Sequence, residues 1–337
     1  MKLVSFINQN NQERAGIFVN GSVYDLSDGA RAVGASLPTT MAEFLKGEER
    51  AMEFANLVSE AINSGKVTEV AEIAKMLAPV PHPTSCRDGY AFRQHVATAR
   101  RNRGVEMIPE FDQYPIFYFT NHNAIFGEGD VLIEDDHLKG LDFELECAVV
   151  IGKRGKNIEA ADADQYIAGY TIMNDLSARV LQMEEMKLNL GPAKGKDFAT
   201  TIGPWLVTPD ELAARKSESL FGARHNLRML ARHNGKQISD GNVNQMNWTF
   251  AEIIERASYG VELLPGDVIG SGTVGTGCYL ELNGTWALEA KDRGETHTPI
   301  WLKEGDTIEL EIDYLGVLTN KIVKSPGNRS ILAKKKM

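Results

Sequence analysis

The segment Leu141-Asp-Phe-Glu-Leu-Glu-Cys-Ala-Val-Val-Ile-Gly152 constrains the fold more than any other stretch, because it writes two carboxylates into what otherwise reads as an interior β-strand. Side chains alternate across a strand, so Glu144 and Glu146 project from one face while Phe143, Leu145 and Cys147 take the other. Ala148 to Ile151 continue as an apolar run of the kind found in strands covered on both faces. Carboxylates buried there have to be met by cations or hydrogen-bond donors. Clustered carboxylate oxygens suit a hard cation such as Mg²⁺, Mn²⁺ or Ca²⁺. The competing reading is an edge strand whose Asp142-Glu144-Glu146 face is wet, since antiparallel sheets commonly keep one polar face.

With 337 residues the chain has room for one large domain and a small one, or for two of medium size. Hydrophobic residues at 43% and charged residues at 24% give the balance of a folded globular protein and exclude disorder and coiled coil. A formal net charge of −10 argues against a general nucleic-acid surface, and Lys334-Lys335-Lys336 reads as a solvated tail. No stretch approaches the roughly 18 apolar residues of a membrane span. The start, Met1-Lys-Leu-Val-Ser-Phe-Ile-Asn8, runs into polar residues without a signal-peptide core. The expectation is a cytoplasmic protein without nucleic-acid or membrane partners. Cys86, Cys147 and Cys278 are too few and too scattered for a disulfide framework or a zinc cluster, and read as reduced, packed thiols.

Residues 2–26 hold three short alternating runs, with Asn20-Gly21 as a hairpin turn, which predicts a small antiparallel sheet. From about residue 40 to 76 the pattern turns helical, with Met41, Phe44 and Leu45, then Phe54, Leu57, Val58 and Ile62, at spacings of three and four. Pro79, Pro81 and Pro83 interrupt any helix or central strand, so the expected boundary lies there. Residues 1–78 are read as a small N-terminal β domain with a helical connector, and 79–337 as the catalytic domain. Downstream the expected strands are 115–119, 145–151, 166–173, 202–207, 226–231, 267–271, 278–282 and 306–313, with helices at 176–188 and 249–258. The fold class is mixed α+β, mainly β.

Four further segments carry chemistry. Asp175 stands where a strand runs into a helix, where a short acid caps a helix or ligates a metal. Arg179 and Gln182 follow at i+4 and i+7, adding an anion-reading guanidinium and an amide. His95 lies just after the proline boundary, close to Asp88. A lone histidine is more often structural, but a neutral imidazole oriented by a carboxylate is a general base. The other six histidines have loop-like or surface contexts. Lys194-Gly-Lys-Asp-Phe-Ala-Thr-Thr201 lacks phosphate-loop spacing and leads into a strand, so Lys196 is read as a donor to a carboxylate or an enolate. Gly270-Ser-Gly-Thr-Val-Gly-Thr-Gly277 is glycine-dense enough for backbone amides to approach a ligand, or is a plain tight loop. With 278–282 read as a strand, a dinucleotide loop is excluded by context. Glu281 then sits as an acid among apolar residues.

In order, Asp88-x-Tyr90-x-x-Arg-Gln-His95, Glu144-Leu-Glu146, Met-Asn-Asp175-x-Ser-Ala-Arg179-x-x-Gln182, Gly-Lys196-x-Phe-x-Thr200-Thr, Gly-Thr273 and Leu-Glu281-Leu resemble the fumarylacetoacetate hydrolase family over roughly residues 80 to 325. The resemblance implies a mixed β-roll catalytic domain behind a small N-terminal β domain, and a homodimer. It implies that Asp88, Glu144, Glu146 and Asp175 hold a divalent cation, commonly Mg²⁺ or Ca²⁺. It further implies that His95, oriented by Glu281, activates water, that Arg179, Gln182 and Lys196 are catalytic donors, and that Tyr90, Tyr118, Thr200 and Thr273 position substrate. The family's second substrate-reading arginine falls ambiguously among Arg100, Arg101 and Arg103. The implied reaction is hydrolysis of a C–C bond in a 3,5-diketo acid, with fumarylacetoacetate foremost, as in aromatic amino-acid breakdown. Acylpyruvate hydrolysis and oxaloacetate decarboxylation or isomerisation are the enzymatic alternatives. A binding or structural role is the non-enzymatic one.

Overall fold

In the computed structural model, which describes residues 1–217, 219–327 and 329–333, the apolar run after Glu146 lies at the centre of the largest sheet. The lysines at 334–336 lie outside the described residues. The Leu145–Ile151 strand is buried along its whole length and pairs with Ile167–Asp175 on one side and Val268–Gly270 on the other. In spatial order the sheet runs Ser22–Asp25, Glu13–Val19, Lys2–Asn8, Thr200–Val207, Ile167–Asp175, Leu145–Ile151, Val268–Gly270, Cys86–Gly89 and Phe117–Thr120. Two short strands, Ile73–Met76 and Ile125–Phe126, pair onto it and bring it to 11 strands. A five-stranded sheet holds Lys236–Asn242, Arg228–His233, Thr307–Ile312, Gly316–Lys324 and Gly129–Ile133. The α-helices of the described residues are α1 (Leu26–Ala32), α2 (Met41–Leu45), α3 (Glu48–Asn63), α4 (Arg93–Asn102), α5 (Arg179–Met186), α6 (Phe250–Ser258) and α7 (Tyr279–Asp292). The fold is mixed: the sheets are mostly antiparallel but include parallel pairs, among them Val268–Gly270 with Cys86–Gly89 and Gly316–Lys324 with Gly129–Ile133, and the described residues form no closed barrel.

Alternation divides the central strand between two cores. Leu145, Cys147, Val149 and Ile151 meet Met229, Leu310 and Leu318 of the five-stranded sheet. Ala148 and Val150 meet Phe44 of α2 and Val58 and Ile62 of α3. Each fully buried Val, Leu or Ile contributes about 1.5–3 kcal/mol, so this strand supplies the stability that charged groups at its start withdraw. Glu146 follows the alternation onto the second face, at the strand's N-terminal end.

The N-terminal runs form the expected strands, joined by Asn20 and Gly21 with φ of 49° and 85°. Lys2–Asn8 also pairs with Thr200–Val207, so the large sheet continues across residue 78. The helical pattern expected up to 76 stops at Asn63. Gly65, at φ 73°, ends α3, and Ile73–Met76 is a strand on Lys2–Asn8 instead. The expected strand at 278–282 is the first turn of α7. Tyr279, Leu282, Trp286 and Ala290 recur three and four apart, a helical signal that the local Leu-Glu-Leu alternation masks. The helices expected at 176–188 and 249–258 are α5 and α6, the latter closed by a capping box between Thr249 and Glu252.

All three cysteines are free and buried. His137 and His225 are buried, not exposed, because each ring packs on an aromatic neighbour: His137 stacks on Phe198 at 4.1 Å, and His225 meets Tyr170 edge-on at 4.9 Å. Among the described residues no helix is long and apolar enough to cross a membrane.

Candidate active site

Strand register brings the acids together. Asp88 lies opposite Gly270 and Tyr118. Glu146 lies opposite Met173, and Asp175, two residues on, faces Thr200. One oxygen from each of Asp88, Glu144, Glu146 and Asp175 lies within 4.8 Å of the others, and all four residues are buried. Asp142 is buried as well, which rules out the wet-edge reading.

The convergence depends on a glycine. The strands bearing Glu146 and Asp88 are separated by Val268–Gly270, so their backbones lie about 10 Å apart, two strand spacings. A Cβ on Gly270 would stand 2.6 Å from Asp88 Oδ1 and 2.8 Å from Glu146 Oε2. The next glycine of the loop, Gly272, donates its N–H to both of those oxygens, at 3.1 and 3.0 Å. Replacing Gly270 by alanine is therefore expected to weaken divalent-cation affinity by roughly 10- to 100-fold, as loss of supporting contacts does, with the fold kept. Calorimetric titration checks this, and unaltered affinity would show that the glycine does not set the carboxylates.

The same loop enters α7, so the expected ground for excluding a dinucleotide loop, a following strand, does not hold. The exclusion rests instead on where the amides go. Gly272 serves Asp88 and Glu146, Thr276 serves Glu281, and Ser271 and Val274 bond the carbonyls of Cys147 and Leu145. A phosphate here would also face carboxylates.

Charge in the cluster is unbalanced. Lys196 Nζ sits 2.6 Å from Glu144 and 2.7 Å from Asp175. The guanidinium of Arg179 contacts Glu144 at 2.8 Å but shares itself with Asp142. Were all of them ionised, five carboxylates, Asp142 included, would face only these two cations, leaving a surplus of negative charge. Glu146 Oε1 and Asp175 Oδ1 are buried without a hydrogen-bond partner. An all-oxygen donor set, surplus negative charge and orphaned carboxylate oxygens fit a hard divalent cation.

Burial opposes ionisation of Glu144, but Lys196 and Arg179 outweigh it and hold its carboxyl down to about 2. Asp88 has no such partner: burial and the charge of Asp175 push it up to about 8. Burial and Asp88 raise Glu146 well above the usual range. In the metal-free protein, burial and the mutual repulsion of the acids thus favour the protonated form of both groups. A carboxyl raised from 3.8 to about 8 stabilises the fold fully below its ordinary value and loses that contribution as pH rises through 8. A bound cation removes the penalty. The rise in Tm on adding Mg²⁺ or Mn²⁺ to chelator-treated protein is thus expected to be larger at pH 8.5 than at pH 6, and a shift that shrinks with pH contradicts the assignment.

Beside the acids stands a second pair. His95, in the first turn of α4, places Nδ1 2.6 Å from Glu281 Oε2, and the Thr276 N–H donates to Glu281 Oε1 at 3.0 Å. Both side chains are buried. The helices meet closely because position 284 is glycine; a Cβ there would stand 2.5 Å from Asn102 Nδ2. The ring of Tyr90 packs edge-on over His95 at 5.8 Å. His95 is close enough that its charge helps hold Glu144 down, after Lys196 and Arg179.

The remaining expected residues fall around this core. Tyr118 donates its hydroxyl to Asp175. Thr200 is buried with its hydroxyl unpartnered, and Thr273 is buried in the glycine-rich loop. Asp175 ends its strand and caps nothing, since α5 begins after Ala178 without a side-chain cap. Gln182 receives a hydrogen bond from Arg179 at 2.9 Å. Arg101 reaches Thr285 on α7, whereas Arg100 and Arg103 bond carbonyls near their own helix. The individual roles of Gly270, Asp142 and Glu185 do not show in the sequence. Glu185 accepts the N–H groups of Ala193, Lys194 and Gly195, at 2.9, 2.7 and 3.1 Å, and so fixes the loop before Lys196.

A family profile described as Fumarylacetoacetate (FAA) hydrolase C-terminal matches residues 84–323. The mitochondrial oxaloacetate tautomerase Fahd2a of Rattus norvegicus is 33% identical over 314 residues, covering 90% of this chain and 85% of the relative. A fumarylacetoacetate hydrolase domain-containing protein 2 homolog of Dictyostelium discoideum is 30% identical over 329 residues, covering 96% and 97%. Among solved structures, a fumarylacetoacetate hydrolase from Exiguobacterium antarcticum superposes with a TM-score of 0.66 at 22% identity, over 96% of this chain and 100% of that one. A maleylpyruvate hydrolase from Sphingobium, in complex with manganese(II) and pyruvate, gives 0.66 at 20%, with the same coverage. A cluster of four converging acids, a histidine–glutamate pair beside it and a profile match across both lead to one conclusion: the chain belongs to the fumarylacetoacetate hydrolase family.

Proposed function

We propose that this chain interconverts the keto and enol forms of oxaloacetate, with a divalent cation held by Asp88, Glu144, Glu146 and Asp175. The observation that carries the reading is the buried cluster with surplus negative charge beside the His95–Glu281 pair. Relatives of about one-third identity named as oxaloacetate tautomerases support the substrate. Mg²⁺ or Ca²⁺ is the expected ion, with Mn²⁺ also suited; the manganese and pyruvate in the Sphingobium enzyme support a cation beside a 2-oxo acid. A bound cation supplies Lewis acidity, which polarises the substrate's 2-oxo group and acidifies the carbon beside it.

The chain's own residues do the rest. Glu281 holds His95 Nδ1, leaving Nε2 as the site that takes a proton from C3 and returns it to oxygen. The C–H electron pair moves into the C2–C3 bond as the carbonyl pair moves onto oxygen. Lys196 and Arg179 supply positive charge on the side where that oxygen gains charge. Tyr90 closes over the imidazole and limits water. A homodimer and a cytoplasmic location belong to this proposal, although the oxaloacetate tautomerases are named as mitochondrial.

A second reading is favoured by the same histidine–glutamate pair, which is equally suited to activating water. The substrate would then be a 3,5-diketo acid such as fumarylacetoacetate, cleaved to fumarate and acetoacetate, or an acylpyruvate. Incubating chelator-treated and Mg²⁺-loaded protein with enol-oxaloacetate, fumarylacetoacetate and acetylpyruvate separates the readings. Cation-dependent loss of enol-oxaloacetate with the others untouched is the expected result. Cleavage of a diketo acid alone would transfer the assignment to hydrolysis, and indifference to all three would leave a binding or structural role.

A further inference from the structure

One buried acid beside the site has no part in the proposed chemistry. Asp142 is fully buried, and its two oxygens accept the N–H groups of Phe143, Tyr279 and Leu280 and the Nε–H of Arg179, at 2.9, 2.7, 2.9 and 2.8 Å. Tyr279 and Leu280 are the first two residues of α7. The cap residue of that helix, Cys278, offers no side-chain hydrogen bond, so its exposed N–H groups and positive dipole end are served from a segment 137 residues away in sequence. A serine at 278 would cap α7 locally without burying a carboxylate. What a local cap lacks is the other half of the arrangement, the grip on Arg179, which in turn contacts Glu144. Asp142 thus joins three pieces: the strand entry bearing Glu144, the first residue of α5, and the turn of α7 that carries Glu281.

We propose that Asp142 is a positioning residue that sets the Glu281–His95 pair against the carboxylate cluster by tying the start of α7 to Arg179. The proposal rests on the reading of His95 as the base. Asp142→Asn keeps the size but turns an NH₂ group toward one of the two donor pairs, so a helix N–H or Arg179 loses its partner. Cation affinity is expected to change less than kcat, because Asp142 touches none of the four ligands directly and reaches Glu144 only through Arg179. The value of kcat is expected to fall roughly 10- to 100-fold.

Two measurements on the whole chain decide it. In a Glu281→Gln background the effect of Asp142→Asn on kcat should shrink to the part that acts through Arg179, since the rest acts through the His95–Glu281 pair; losses that multiply in full would overturn the proposal. Amide hydrogen exchange in Asp142→Asn should lose protection at Tyr279 and Leu280 and also at Thr276, whose N–H depends on the placement of Glu281. Fraying confined to 279 and 280, with Thr276 still protected, would show a plain helix cap and overturn it. If no oxo acid is turned over at all, the function falls, and the exchange pattern still decides this proposal. If Asp142→Asn does not fold, Asp142→Asn with Cys278→Ser, which gives α7 a local cap, is read in its place: loss of protection at Thr276 supports the proposal, and retention overturns it.

Discussion

His95→Ala is expected to lower kcat by about 10²–10⁴-fold, the range over which a positioned general base contributes, while divalent-cation binding stays intact. The separation follows from the geometry. His95 comes from α4 and is bonded to Glu281 on α7, whereas Asp88, Glu146 and Asp175 come from strands of the large sheet and Glu144 from the residue just before one of them. No hydrogen bond joins the imidazole to the four acids; its influence on Glu144 is through space. Removing it deletes the proton acceptor and leaves the ligands. Steady-state kinetics with cation titrated in parallel checks this, and a His95→Ala protein that keeps wild-type kcat would remove the base from the mechanism.

Glu146→Gln is expected to have the opposite profile. Glu146 lies between Asp88 and Asp175 across the sheet, with one oxygen buried and unpartnered, so the amide forfeits a ligand and cation-dependent turnover should be lost. The metal-free protein should respond in the other direction. Burial and the neighbouring Asp88 raise the Glu146 carboxyl well above its ordinary range, so wild-type protein loses stability as pH rises and the acid is forced to ionise. Glutamine never ionises. Without metal, Glu146→Gln should match wild type in Tm only at pH values below the ordinary glutamate range, and exceed it increasingly as pH rises above that range. Thermal melts across pH in chelator check this, and a variant less stable than wild type at pH 9 would contradict the repulsion on which the cluster rests.

Much of the candidate site is legible in the chain because its signals are local. The period-two carboxylates, the apolar run behind them, Asp175 at a strand end and the Asn20-Gly21 hairpin each follow from backbone geometry over a few residues. What was missed depends on contacts far apart in sequence. Gly270 looks like one glycine of a loose loop until the strand order sets it between Asp88 and Glu146. Asp142 looks like the first acid of a wet face until α7 arrives to be capped. The same absence of a local cap made Cys278 to Leu282 read as a strand. His137 and His225 have loop-like or surface contexts in the sequence, because the aromatic rings that bury them lie in other segments. The specific substrate is the least legible property, since a cation-binding cluster with a base beside it serves isomerisation and hydrolysis alike.

The most direct test is to titrate chelator-treated protein with Mn²⁺, counting bound ion by electron paramagnetic resonance while following enol-oxaloacetate in the same sample. Turnover should rise in proportion to occupancy of a single high-affinity site, and both should be absent in Glu146→Gln. Turnover that proceeds without the ion, or persists in Glu146→Gln, would contradict a reaction that depends on these four carboxylates.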